Sequence, residues 1–307
     1  MPLIKSNAKR SPRLALQNLE FAAIGTQWRI TIAKRMSRSA LDVLKEAVFR
    51  RIAQFDMQYS RFRTDSLVSA MTEKTGTYQL PDDAKPLFDL YEQLYERTGG
   101  AVTPLIGQAL SDAGYDAQYS FIPKRMHPTP TWDQALVYAF PTLTIKRPVL
   151  LDVGAAGKGY LVDIIADIIE ASGITEFCVN AGGDMTQRGS QAETVGLEHP
   201  GNSEQVIGVA TLQNRSLCGS AGNRRTWDGY HHILHPRSHL SPQAVRAVWV
   251  VAESTLLADG LTTALFFTEA RLLHKWYNFE YAMVMEDYSL THSAGFPAEF
   301  FTERRAV

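Results

Sequence analysis

Two cysteines, Cys178 and Cys218, are all that the 307 residues contain, and each sits in a small or apolar context. The expectation is therefore no disulfide framework, and both read as buried thiols, because free cysteine is among the most buried residue types. Long hydrophobic runs are missing too: no window approaches the apolar length of a membrane span. Nor is there an excess of one charge. The formal net charge is −1 with both signs mixed along the chain, which offers little to a nucleic acid or a membrane surface. Internal repeats and low-complexity tracts are absent. The first twenty-odd residues carry basic side chains but no continuous apolar core of a signal peptide, and no cysteine that could bear a lipid. The expectation is a cytoplasmic protein.

What is present is ordinary for a soluble globular protein, 45% hydrophobic and 21% charged. Lys5 to Arg13 is polar and basic and reads as an arm. Around Gly25-Thr26, Phe21 and Ala23 and then Trp28, Ile30 and Ile32 alternate, which predicts two strands and a tight turn. Ser39, with Asp42 three residues on, predicts a helix start, and Leu41, Leu44, Val48, Ile52 and Phe55 follow at helical spacing. A second amphipathic helix after Pro81-Asp82-Asp83 carries Leu87, Leu90, Tyr91, Leu94 and Tyr95 and stops at Gly99-Gly100. Ser111 to Pro141, with four prolines, reads as a long surface excursion. Then come a strand from Pro148 to Val153, a glycine-rich loop, a helix ending at Gly173, and a strand from Phe177 to Asn180 closed by Gly182-Gly183-Asp184. Strands at Val206–Leu212 and Ala244–Ala252, a helix over Thr255–Thr268, a further helix, and a last strand at Glu280–Met285 complete the pattern.

Three stretches carry chemistry. In Gly154-Ala155-Ala156-Gly157-Lys158-Gly159, a glycine turn and a lysine lie between strand and helix, where N–H groups and the ammonium both favour anions. A Walker loop is rejected, because the spacing is two residues short and Gly159 replaces the hydroxyl that would hold magnesium. The plainer alternative is a tight turn with a solvated lysine. In the second stretch, Asp259 and Thr263 stand four apart on one helix face, a pairing that suits a hard cation with oxygen ligands. Asp259 could equally favour the helix start while Thr263 bonds back to a carbonyl. The third is Gly229-Tyr230-His231-His232-Ile233-Leu234-His235-Pro236. Its three histidines match no zinc spacing, and one histidine acting as a general base, with structural neighbours, fits better.

Taken in order, these stretches and others resemble the ApbE family of FAD:protein FMN transferases. The likeness starts at Ile24-Gly25-Thr26 and runs through Ser60-Arg61-Phe62, Thr64-Asp65-Ser66 and Gly100-Ala101-Val102-Thr103-Pro104. It continues through Leu151 to Tyr160 with Asp163, Asn180-Ala181-Gly182-Gly183-Asp184, and Ser220-Ala221-Gly222-Asn223. It ends with His232 to Pro236 and Ala258-Asp259-Gly260 with Thr263. Four positions depart from the family's habit. Ile24 replaces methionine, Thr103 and His235 replace aspartates, and His239 stands where glycine is expected.

The resemblance implies an α+β, T-fold-type architecture of mixed sheets with flanking helices around a flavin cleft. One structural unit would span residues 19–307 behind an N-terminal arm of residues 1–18. It implies FAD as substrate, Mg2+ as cofactor, and an acceptor flavoprotein whose threonine takes FMN while AMP leaves. By position, Asp152 and Lys158 would contact FAD, and Ile24, Ala101, Val102, Thr103 and Ile233 would line its pocket. Asp259, Thr263 and the carbonyl of Ala155 would hold the metal, and His232 would be the base. Two other readings remain: an FAD pyrophosphatase, in which water replaces threonine, and a flavin carrier without turnover.

Overall fold

The computed structural model describes residues 16–223 and 226–301. Eight strands form the central sheet, in the order Gln17–Ala23, Thr26–Ile32, Phe177–Ala181, Asp184–Arg188, Ser216–Ala221, Val245–Ala252, Glu280–Met285 and Leu290–His292. Every neighbouring pair is antiparallel. The expected sheets with flanking helices are therefore present, with antiparallel pairing throughout the described strands.

Side-chain alternation explains how the layers stack. In Val245–Ala252, Val248, Val250 and Ala252 join the core shared with the helices, while Ala247, Trp249 and Val251 join a second core. A strand buried on both faces reads as a continuous apolar run, as this one does. Helices Arg38–Tyr59, Gly157–Ala171 and Thr255–Ala264 cover the first face. The second is covered by the three-stranded sheet of Glu193–His199, Asn202–Leu212 and Ala298–Phe300, through Leu197, Ala210 and Leu212. Another small sheet, Gly76–Gln79, Thr142–Ile145 and Leu136–Ala139, stands apart.

Several boundaries differ from the sequence expectation. Strand pairing starts at Gln17 with Ile32, inside the expected arm, whose residues 1–15 lie outside the described residues. The first helix is capped by Ser37, not Ser39, since the Ser37 hydroxyl accepts the Ala40 N–H. Pro148 to Val153 is extended but joins no strand ladder. Two of its N–H groups go instead to carbonyls at the ends of short helices, Val149 to Met71 and Asp152 to Pro104. The excursion from Ser111 is only partly superficial. It holds the helix Trp132–Ala135 and the strand Leu136–Ala139, and Ala113 and Tyr115 pack with Leu110, Trp227 and Leu234 in a third apolar cluster. Both cysteines are free and buried. Among the described residues, no helix is long and apolar enough to cross a membrane.

Candidate active site

Two hairpin turns meet at one end of the central sheet. Ile24 and Gly25, both at positive φ (41° and 74°), join the first two strands, and Gly182-Gly183 joins the next two. The register Trp28 to Ala181 sets the turns side by side. They lie so close that a Cβ on Gly182 would fall 2.0 Å from the Thr26 hydroxyl. A β-branched residue in the left-handed region is strained, so the turn holds Ile24 at a cost. The second turn leads directly into Asp184.

Behind that turn the helix Gly157–Ala171 begins, so Gly157, Lys158 and Gly159 form its first turn and not a free loop. Gly159 lets a second helix approach. A Cβ there would lie 2.3 Å from the Thr255 carbonyl oxygen and 2.6 Å from the Asp259 Cβ. Through this gap the Gly159 N–H donates to Asp259 Oδ2 at 2.8 Å. Lys158 is not a solvated lysine on a turn, because its ammonium pairs with Asp184, which is fully buried.

The plain alternatives for Asp259 and Thr263 are taken up by their neighbours. The first N–H groups of the helix Thr255–Ala264 are satisfied from elsewhere: Asp163 accepts from Thr255 and Leu256 at 2.9 and 2.7 Å, and Ser254 accepts from Leu257. Asp259 sits one turn further in, buried, with its carboxyl pushed up to about 6 chiefly by loss of water, although Lys158 and the Gly159 N–H pull it down. The hydroxyl that bonds back to a helix carbonyl is that of Thr262, to Asp259 at 2.7 Å. Thr263, half-buried, shares the Asp259 face.

The expected pocket residues fall into linked groups. Asp152 accepts from the Gly154 N–H at 2.6 Å and pairs with Arg61, while its own N–H reaches the Pro104 carbonyl. This ties the Gly154–Ala156 turn to the segment Ala101-Val102-Thr103. Val102 and Thr103 are buried, and the Thr103 hydroxyl accepts the Leu105 N–H, a capping task that an aspartate can also perform. Arg61 is sandwiched between the rings of Phe62 and Tyr115, 4.2 and 4.9 Å from their centroids. Sequence reasoning placed Arg61, Asp163 and Asp184 in matched motifs but gave them, like Cys218, no role in a site. The fold reveals their partners, which lie far along the chain.

The histidines sort themselves by hydrogen bonding. His231 Nδ1 accepts the Ile233 N–H and Nε2 lies 3.0 Å from the Pro242 carbonyl, so the ring is neutral and structural; burial lowers its pKa. His235 Nδ1 accepts from the N–H groups of Arg237 and Ser238, as an aspartate carboxylate there could. His232 is half-buried, its ring centroid 6.3 Å from that of His231. The loop packs just beyond the Asp259 helix: His231 lies 6.3 Å from Phe266 and His235 lies 5.6 Å from Phe267. Ile233 is buried beside it.

Fold and site together define an α+β protein whose buried carboxylates and lysine gather where two helices cross a sheet end. The ApbE family model matches residues 24–285, and the chain belongs to that family. It is 26% identical over 276 residues to the FAD:protein FMN transferase of Treponema pallidum, covering 79% of this chain and 76% of that one. It is 24% identical over 267 residues to the FAD:protein FMN transferase of Vibrio cholerae, covering 81% and 80%. Among solved structures, the apbe protein of Thermotoga maritima superposes with a TM-score of 0.80 at 22% identity, covering 93% of this chain and 100% of that one. The flavin transferase ApbE from Vibrio cholerae gives 0.77 at 20% identity, covering 92% and 98%.

Proposed function

We infer that this chain is a FAD:protein FMN transferase, and that it moves FMN from FAD to a threonine hydroxyl of an acceptor flavoprotein with Mg2+ bound. The observation that carries the reading is the convergence of Lys158, Asp184 and Asp259 at the Gly159 crossing, within a chain of this family. The donors suit a hard cation, with the Asp259 carboxylate, the Thr263 hydroxyl and the Ala155 carbonyl offering oxygen. Asp184 adds a buried carboxylate that, apart from the Lys158 ammonium, meets no donor among the described residues. The metal would neutralise charge on the pyrophosphate oxygens.

The protein's own groups do the rest. Lys158 meets the pyrophosphate, Asp152 meets FAD, and Ile24, Ala101, Val102, Thr103 and Ile233 line the pocket. Threonine is a weak nucleophile at neutral pH, so His232 takes its proton as the oxygen attacks the FMN phosphorus. The threonine O–P bond forms, the P–O–P bond breaks, and AMP leaves with the electron pair.

The test is incubation with FAD and Mg2+, with and without a threonine-containing acceptor peptide. Flavin-labelled peptide and stoichiometric AMP are expected, and chelator should stop both. AMP and free FMN at the same rate without peptide would make it a pyrophosphatase. FAD binding without AMP release would make it a carrier.

A further inference from the structure

Asp184 closes a hairpin whose sequence suggests only a turn, yet its surroundings are unusual. Strand alternation sends Met185 to the second core and Asp184 and Thr186 to the helix side. On the neighbouring strand, Leu217 pairs with Met185, which brings Cys218 beside Asp184 on the same face. A polar stripe results inside the sheet–helix interface. Thr186, Ser216 and Thr255 are linked by hydroxyl bonds of 3.0 and 3.1 Å, and Ser220 meets Thr262 at 2.8 Å. Between these two groups, donor atoms of Asp184, Cys218 and Asp259 all lie within 4.8 Å of one another, and all three residues are buried.

Asp184 differs from the other buried carboxylates in how it is held. Asp163 accepts two N–H groups and Asp259 accepts one. Asp184 is completely buried, and apart from the Lys158 ammonium no described residue donates to its oxygens. It is answered by a charge, the Lys158 ammonium. A buried carboxylate is ordinarily fixed by several donors. One answered by a flexible ammonium faces a cation that can be exchanged.

We propose that Asp184 is a shared counter-ion, holding Lys158 while the site is metal-free and turning to the divalent ion at Asp259 once Lys158 is drawn to the FAD pyrophosphate. The proposal rests on the metal and lysine roles given above. Charge supports the exchange. Two carboxylates and one ammonium leave a net negative site; a divalent ion makes it positive, and the pyrophosphate then compensates. Metal and lysine therefore compete for Asp184 without FAD and cooperate with it.

Mn2+ binding to the whole protein without FAD, followed by calorimetry and by the Mn2+ spin-resonance signal, provides the test. Asp184→Asn should weaken Mn2+ by roughly 10- to 100-fold, the range for supporting groups around a metal, and Asp184→Glu should recover part of it. Lys158→Met should strengthen Mn2+ binding by several-fold while weakening FAD binding in a separate titration. Loss of the positive charge alone also raises affinity, so the exchange requires that most of the gain disappear when Lys158→Met is combined with Asp184→Asn. Unchanged or weaker Mn2+ binding in Lys158→Met overturns the exchange, and that variant decides the matter if Asp184→Asn does not fold. Asp259→Ala separates the two levels. Mn2+ binding that survives it overturns the metal reading itself. Binding lost in Asp259→Ala but unchanged in Asp184→Asn overturns only the role of Asp184.

Discussion

The carboxylate–lysine centre and the histidine loop adjoin the same helix, Thr255–Ala264, and are held by different means. In the centre, position comes from packing. The two helices are in contact at Gly159, where a side chain would collide with backbone, and Asp259 is fixed by a single N–H. In the loop from Tyr230 to Ser241, position comes from ring nitrogens and hydroxyls that take up backbone groups, as His231, His235 and Ser241 do. A packed crossing tolerates little change, whereas a hydrogen-bonded loop can exchange one acceptor for another.

The largest expected effect lies in the centre. Asp259→Ala should abolish metal-dependent FMN transfer while leaving the fold intact, as read by product assay and circular dichroism. Retention of full activity with FAD and Mg2+ would reduce Asp259 to a packing residue. The pH dependence sharpens this. Burial raises the folded-state pKa of Asp259 from 3.8 to about 6, so the folded protein binds this proton more tightly than the unfolded chain. Metal-free stability from this group is thus present below about pH 4 and is lost as pH rises towards about 6. Metal needs the ionised form, so Mn2+ affinity should run the other way, falling about tenfold between pH 7 and pH 5. Affinity that does not change over that range would mean the carboxylate is already ionised in the fold.

Next is the base. His232→Ala should keep FAD affinity and lose transfer by roughly 10²–10⁴-fold, the usual contribution of a general base. Transfer to peptide and FAD binding would be measured side by side. Wild-type transfer in the variant would remove His232 from the chemistry and leave the histidine loop purely structural.

A smaller effect tests the claim that the loop can exchange acceptors. His235→Ala leaves the Arg237 and Ser238 N–H groups without their acceptor and should cost on the order of 1 kcal/mol, whereas His235→Asp should recover most of it. Burial first, then Arg237 and His239, lowers the folded-state pKa of His235 below 6.5. Its contribution is therefore present above 6.5 and lost as pH falls through the lowered value. Thermal melts of the three proteins at pH 7 and about pH 5 would read this. An aspartate variant no better than alanine would show that ring packing on Phe267, not acceptance, holds the loop.

The same contrast governs what could be read from the residues. Strand alternation around Gly25 and the stripe from Leu44 to Phe55 are periodic signals, the Val245–Ala252 strand is a short apolar run, and each became the expected element. Asp259 and Thr263 were legible because four-residue spacing is itself geometry. The Lys158–Asp184 pair was not, since a hairpin aspartate and a helix-start lysine meet only when sheet and helix pack. Pro148 to Val153 misled because it is apolar like a strand, yet the carbonyls of Met71 and Pro104, at the ends of short helices, take two of its N–H groups. The task of His235 was hidden because composition shows a ring and not which nitrogen accepts.

The smallest expected effect is at His239, where φ is 55°. A non-glycine residue in the left-handed region costs roughly 1–2 kcal/mol. His239→Gly should release that strain, while the greater freedom of glycine in the unfolded chain takes back about 0.5–1 kcal/mol. The ring also gives up a long contact, 3.4 Å from His239 Nε2 to the Thr129 hydroxyl, which ties the loop to the excursion before Thr131. The balance is a gain on the order of 0.5 kcal/mol, visible as a small rise in melting temperature with FAD binding unchanged. A loss above about 1 kcal/mol would mean that the Thr129 contact, and not the backbone, decides how this loop is held, and that its exchange of acceptors stops at His235.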